Sequence, residues 1–119
     1  MTGGGNGLGQ QICIKLASLG CNLAIADVDL KGAQATVECA LKHGVQAKAY
    51  KVDVSNNSEI LKLKKDILSD LGDVDILVNN AGIISFKSIF EQSAEEIERL
   101  IKVNLTAVTL VSDFRFDYF

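Results

Sequence analysis

The hydrophobic positions of this chain switch repeatedly between two spacings, and the switches mark out its elements. Leu8, Ile12, Leu16 and Leu19 recur at helical spacing. They predict an amphipathic helix over about residues 7–19, closed by Gly20. "CNLAIAD" follows, a short and almost continuous apolar run ending in an acid. Such a run predicts a strand covered on both faces. Residues 30–42 contain no proline and are rich in Ala, Leu and Lys, which predicts a second helix running on to Gly44. "VQAKAYKVD" predicts a second strand, ending at Asp53. "SNNSE" supplies Ser and Asn as capping residues for the next helix. Its apolar stripe is Ile60, Leu63, Ile67 and Leu71, and Gly72 stops it. "VDILV" predicts a third strand leading into "NNAG". After a loop, "SAEEIERLIKVNLTAVTLV" predicts a last helix. Ser93 is its N-cap, and Glu95 and Glu96 lie near the positive end of its dipole.

Strands that alternate with helices predict right-handed βαβ crossovers and a parallel sheet, hence the α/β class. The pattern opens on a loop and a helix, not on a strand. A length of 119 residues suits one small domain. With 48% hydrophobic and 23% charged residues the chain reads as globular. Its net charge of −3, with lysines and acids interleaved, argues against a nucleic-acid surface. Cys13, Cys21 and Cys39 are odd in number and form no CxxC. Reduced thiols, no metal site and a cytoplasmic setting are the expectation. His43 stands far from any acid pair and is expected at the surface near a helix end. No apolar run approaches the roughly 18–20 residues that span a bilayer. The N-terminus lacks the regions of a signal peptide.

The candidate chemistry begins at "MTGGGNGLGQQ". The spacing G-x-G-x-x-G fails in every register, and the P-loop spacing fails because Gln10 follows Gly9. What fits is T-G-x-x-x-G-x-G, on Thr2, Gly3, Gly7 and Gly9, with Leu8 between the last two. Glycines there allow positive φ and a close backbone approach to a pyrophosphate. A helix starting at that point directs its free N–H groups and positive dipole end at the phosphates. The bland alternative is a flexible, glycine-rich N-terminus, which the periodic helix directly behind it disfavours. Asp27 ends the following strand, where an acid accepts hydrogen bonds from the adenosine ribose hydroxyls and repels a 2′-phosphate. Val28 follows it and Asn6 fills the loop position, so no Arg or Lys stands beside it. NAD is therefore expected in preference to NADP.

With "TGGGNGLG", "AIADVD", "VDVS", "ILVNNAGI" and "VNLTAV" in order, the chain resembles the short-chain dehydrogenase/reductase family from Thr2 to about Val111. Within it, the chain is most similar to the membrane- and lipid-droplet-associated hydroxysteroid and retinol dehydrogenase group, 17-beta-hydroxysteroid dehydrogenase 11-like proteins included. The resemblance implies a Rossmann-like, doubly wound parallel sheet. It implies that Gly3, Gly7 and Gly9 cradle the pyrophosphate, with Leu8 beside them. Asp27 reads the ribose, and Asp53 with Val54 flank the adenine. Asn79, Asn80, Ala81 and Gly82 steady the central sheet and border the cofactor. Asn104 matches the asparagine of the family's Asn-Ser-Tyr-Lys catalytic set. Ile97, Ile101, Asn104, Val108 and Val111 share one helical face, which places the Asn104 amide in an apolar stripe. There it is either a satisfied core amide or part of a bent helix that holds a proton-relay water. For Asn79 and Asn80 a plain Asx-turn is the alternative.

The resemblance also marks departures. The family's Tyr-x-x-x-Lys is absent: Val54 stands four residues after Tyr50, and Tyr118 is followed by Phe119 alone. The tail 112–119, "SDFRFDYF", departs from the family pattern. The family places an apolar strand before Thr2, at the centre of a 3-2-1-4-5 sheet. Without it, "CNLAIAD" and "VDILV" lose shared ladder partners. The expectation is an incomplete domain over 1–119, with the first strand and the C-terminal half missing. It would be the cofactor-binding half of an oxidoreductase that moves a hydride to or from an alcohol or ketone, and inactive alone. A steroid, retinoid or other lipid-like substrate suits the resemblance. A homo-oligomer, and a relative at the endoplasmic reticulum or lipid droplet, suit the full-length family member. The competing reading is a non-catalytic dinucleotide-binding or interaction module.

Overall fold

A computed structural model describes residues 1–113. Its elements are α1 (Gly7–Ser18), β1 (Leu23–Asp27), α2 (Leu30–Leu41), β2 (Ala47–Lys51), α3 (Asn57–Leu71), a 3₁₀ turn (Ile89–Glu91), α4 (Ala94–Ile101), a π-helical turn (Lys102–Thr106) and α5 (Ala107–Ser112). β1 and β2 pair in parallel, from Leu23 opposite Ala47 to Asp27 opposite Lys51. The continuous apolar character of β1 has its reason in the helices on both faces, because successive side chains point to opposite sides. Leu23 and Ile25 face a core with Cys13, Ala17, Ala33 and Ala40 from α1 and α2. Ala26 faces the other core, with Tyr50, Leu63, Ile67, Val103 and Ala107. The α/β, doubly wound architecture is thereby built around one strand.

The strand ends are shorter than the apolar runs. Cys21 N–H donates to Leu16 C=O to close α1, and the Asn22 side chain accepts from Gln46 N–H, so β1 starts only at Leu23. "VDILV" forms no strand, against the expectation. Among the described residues its ladder contact is a single bond, Thr2 N–H to Val78 C=O at 3.1 Å, and one bond does not make a ladder. Residues 1–3 run between this segment and β1. The Met1 ammonium donates to Ala24 C=O at 3.0 Å, Ala26 N–H to Met1 C=O at 2.9 Å, and Thr2 bridges Ala26 in parallel. A cavity of about 360 Å³ lies alongside, between β1 and residues 72–78.

The long last helix is broken by its π-helical turn, which shifts the inward face. The buried positions are Val103, Ala107 and Val111. Ile97, Ile101 and Val108 are exposed, and Asn104 with them. The expected apolar stripe with a buried Asn104 is therefore corrected: of that stripe only Val111 is buried, and Val103 and Ala107 complete the inward face. Ser112 and Asp113 close α5, and the remainder of the tail, Tyr118 included, lies outside the described residues. The three cysteines are free thiols, Cys13 buried. His43 is exposed just past α2.

Candidate functional site

The glycine loop is clamped from three directions. Gly3 N–H donates to Ala26 C=O at 2.8 Å and Gly5 N–H to Asp27 Oδ2 at 2.8 Å, which ties the loop to the end of β1. From α2, the buried Thr36 hydroxyl donates to Gly4 C=O at 2.9 Å. From the segment after Val78, Asn80 Nδ2 donates to Thr2 C=O at 3.2 Å and to Gly3 C=O at 2.9 Å. Asn80 N–H and Ala81 N–H both reach the Thr2 hydroxyl at 3.1 Å.

Two glycines are required for different reasons. Gly7 opens α1 at φ +50 with nothing near a Cβ, so its role is conformational. At Gly9 a Cβ would stand 1.9 Å from Gly3 C=O. Its absence lets the first turn of α1 lie against the loop. That first turn is also unlike the others. Asp29, Asn56 and Ser93 cap α2, α3 and α4 with their side chains, whereas no side chain caps α1 at Asn6. The N–H groups and positive dipole end of α1 are left to a ligand, and an anion suits them.

Gly3, Leu8, Gly9, Asp27, Asp53, Val54, Asn80, Ala81 and Gly82 border one cleft of about 280 Å³. The structure thus brings together the residues expected to bind a cofactor except Gly7 and Asn79, which do not border the cleft. The larger cavity beside residues 72–78 is bordered by Met1 and Thr2 but by none of the clamped loop's glycines. Asp27 spends one oxygen on Gly5 N–H and the other on Asp29 N–H at 2.9 Å. Asn6 and Val28 also border the cleft.

Asp53 is held harder. Its Oδ1 accepts from Ser55 N–H at 2.9 Å and from the Ser55 hydroxyl at 2.7 Å, and its Oδ2 lies 3.3 Å from Arg99 Nη2. Burial alone would raise its carboxyl. The Ser55 hydroxyl and amide and the Arg99 guanidinium outweigh that and hold it below the usual carboxylate range.

Asn104 does not border the cleft. Its amide pairs twice with the backbone of Ile83, accepting from Ile83 N–H at 2.9 Å and donating to Ile83 C=O at 2.8 Å. Ile83 and Val103 do border the cleft. Asn104 therefore fixes the wall that follows "NNAG". Asn79 faces away and donates to the Ser112 hydroxyl at 3.1 Å. Three residues of the site went unassigned in the sequence. Thr2 was legible only as a motif letter. Thr36 had one signal, a β-branched hydroxyl residue inside an Ala-rich helix. Arg99 had none, since its partner is 46 residues away. Among the described residues no His, Cys, Asp and Glu group could hold a metal ion, and no helix is long and apolar enough to cross a membrane.

Known proteins resemble this chain in sequence and in fold. The sequence model of the short chain dehydrogenase family matches residues 1–119. An uncharacterized oxidoreductase of Thermotoga maritima is 36% identical over 114 residues, 96% of this chain and 44% of that protein. Estradiol 17-beta-dehydrogenase 11 of Mus musculus is 35% identical over 107 residues, 90% of this chain and 36% of its own length. Among solved structures, an alcohol dehydrogenase from the archaeon Thermococcus sibiricus, complexed with 5-hydroxy-NADP, superposes with a TM-score of 0.92 at 32% identity. The match covers 98% of this chain and 50% of that one. The chain spans less than half the length of the two curated relatives.

Proposed function

This chain belongs to the short-chain dehydrogenase family, and on that premise we propose that it is the NAD-binding part of an oxidoreductase acting on an alcohol or ketone. The observation that carries the reading is the uncapped N-terminus of α1, set against a glycine loop that a single Cβ at Gly9 would block. A pyrophosphate supplies the negative charge and acceptor oxygens that such an end lacks. The nicotinamide cofactor, when bound, supplies the carbon that gives or takes a hydride.

The chain's own residues bind and orient. Gly3 and Gly9 keep the phosphate cradle open. Asp27, already fixed by two backbone N–H groups, keeps acceptor capacity for ribose hydroxyls, since a carboxylate offers about four acceptor positions. Its charge, with Asn6 and Val28 rather than Arg or Lys at those two positions of the cleft, favours NAD over NADP. Asp53 and Val54 flank the adenine, and Asn80 to Gly82 form the opposite wall. Asn104 holds that wall through Ile83. Relatives named as 17-beta-dehydrogenases support a steroid or similar lipid-like substrate for the longer protein.

Proton transfer is not assigned to this chain. Tyr50 donates to Asp70 at 3.0 Å, and burial together with that carboxylate pushes its hydroxyl up, the reverse of what a phenolate base needs. We therefore expect no turnover by this chain alone. A non-catalytic dinucleotide-binding or interaction module is the second reading, which the same uncapped α1 and glycine loop would serve. NADH fluorescence tests the proposal. The chain should enhance and blue-shift NADH emission, and Gly9→Ala should abolish the effect without an assay for alcohol oxidation ever becoming positive. Equal enhancement by Gly9→Ala would refute the assigned cradle.

A further inference from the structure

One peptide unit of the glycine loop is gripped at both ends by side chains from two different elements. The unit joins Gly4 to Gly5. Its carbonyl accepts from the Thr36 hydroxyl of α2 at 2.9 Å, and its N–H donates to Asp27 Oδ2, at the end of β1, at 2.8 Å. Thr36 and both glycines are buried. A Cβ at Gly4 would stand 2.7 Å from Ile25 Cγ2, and one at Gly5 2.9 Å from Asp27 Cγ. The unit therefore has a glycine on each side, the combination that resists a peptide flip least. The helix is shaped to reach it. Gly32 lies one turn before Thr36 on the same face, and a Cβ there would stand 2.7 Å from Gly5 C=O. Glycine inside a helix is unfavourable relative to alanine, and here it lets α2 approach the loop. Gln10 Nε2 donates to Thr36 Oγ1 at 3.2 Å, which leaves the hydroxyl proton for a carbonyl. Two carbonyls are in reach, Gly4 at 2.9 Å and Gly32 at 3.1 Å, and the nearer belongs to the loop.

We propose that Thr36 is a positioning residue for Asp27: it holds the Gly4–Gly5 peptide in the orientation that turns its N–H to Asp27 Oδ2, and so fixes the carboxylate that borders the cleft. Reversing the unit would set a carbonyl oxygen against the carboxylate and strip Thr36 of its nearer acceptor. Thr36 itself does not border the cleft. Its influence on a ligand passes through the peptide and Asp27. For the ligand the inference rests on the dinucleotide reading of the cleft; for the peptide it rests on the loop alone.

Amide hydrogen exchange on the whole chain tests the loop without a ligand. Thr36→Val keeps the side chain's shape and removes the hydroxyl. Gly5 N–H should then exchange roughly tenfold faster relative to the amides of β2, the scale of one hydrogen bond. Thr36→Ser keeps the hydroxyl and should hold the rate within about twofold of the unsubstituted chain. NADH fluorescence then tests the effect on Asp27. Thr36→Val should weaken NADH binding roughly tenfold, and in an Asp27→Ala background the same change should matter by less than about twofold. An unchanged Gly5 exchange rate in Thr36→Val would show that the peptide is held without Thr36, and the proposal fails. Losses of NADH affinity that multiply independently in the double variant would make Thr36 merely structural, and the proposal fails again. If no variant binds NADH while Gly5 exchange responds as expected, the dinucleotide reading falls and the hold of Thr36 on the peptide stands.

Discussion

The two flanks of β1 are held in opposite ways. On one side β1 pairs with β2 through five residues in unbroken register. On the other, residues 1–3 make three backbone bonds to Ala24 and Ala26 of β1 and one, from Thr2, to Val78, and a cavity of about 360 Å³ lies beside them. The cleft lies at the C-terminal end of β1, where both flanks meet. Its geometry does not depend on a ladder on the weak side. Asp27, Thr36 and Asn80 bind the glycine loop through side chains, from β1, from α2 and from the segment after Val78. Sheet pairing and packed cores thus stabilise one flank. Side chain to backbone bonds carry the site across the other.

This contrast can be broken most forcefully with the same substitution on each flank. Ile25 is 0% exposed and sits in the core on the paired side, so Ile25→Ala should cost about 3 kcal/mol in urea unfolding. Ile76, 60% exposed in the segment without a ladder, should cost within about 0.5 kcal/mol on the same change. Equal costs would show that the open flank is packed as firmly as the paired one.

Gly9→Ala comes next. In an ordinary helix the change would stabilise by up to about 1 kcal/mol. Here the 1.9 Å approach to Gly3 C=O must be relieved, and the overpacking should win, for a net loss of about 1–3 kcal/mol. A gain in stability would contradict the close approach. Asn80→Ala removes two donors to the loop and should cost about 1 kcal/mol, with a larger effect on NAD affinity than on the unfolding midpoint. A change in stability alone would place Asn80 outside the site.

The smallest effect concerns pH. The Asp53 carboxyl is depressed in the fold, so its contribution is fully present above the ordinary aspartate range and is lost as pH falls through the lowered value. The difference in thermal midpoint between the chain and Ser55→Ala should shrink as pH drops from about 5 to about 3, the range that brackets an ordinary aspartate. A difference that grows toward acid would reverse the sign assigned to Ser55.

Much of this arrangement is legible along the chain. Helix ends at Gly20, Gly44 and Gly72 follow from glycine's tolerance of positive φ, and all three adopt it, at 88, 78 and 85. The unbroken apolar run of β1 announces helices on both faces. The glycine spacing and Asp27 point to one cleft because loop, helix and strand are neighbours in sequence. What is not legible depends on partners distant in the chain. "VDILV" has strand character, but a strand exists only with a paired neighbour, and among the described residues the one backbone bond across to it is from Thr2. The stripe through Asn104 assumes a regular helix, and the π-helical turn at Lys102–Thr106 moves that residue out to meet Ile83. Arg99 and Thr36 acquire meaning only when the fold sets α4 beside Asp53 and α2 beside Gly4.

The clamped loop and Asp27 together make the proposed NAD site. Calorimetric titration of the chain with NAD and with NADP tests it most directly. NAD should bind at least roughly tenfold tighter, the cost of placing a 2′-phosphate against an unneutralised carboxylate, and Asp27→Ala should remove the difference. Tighter binding of NADP, or a preference that Asp27→Ala leaves intact, would contradict it.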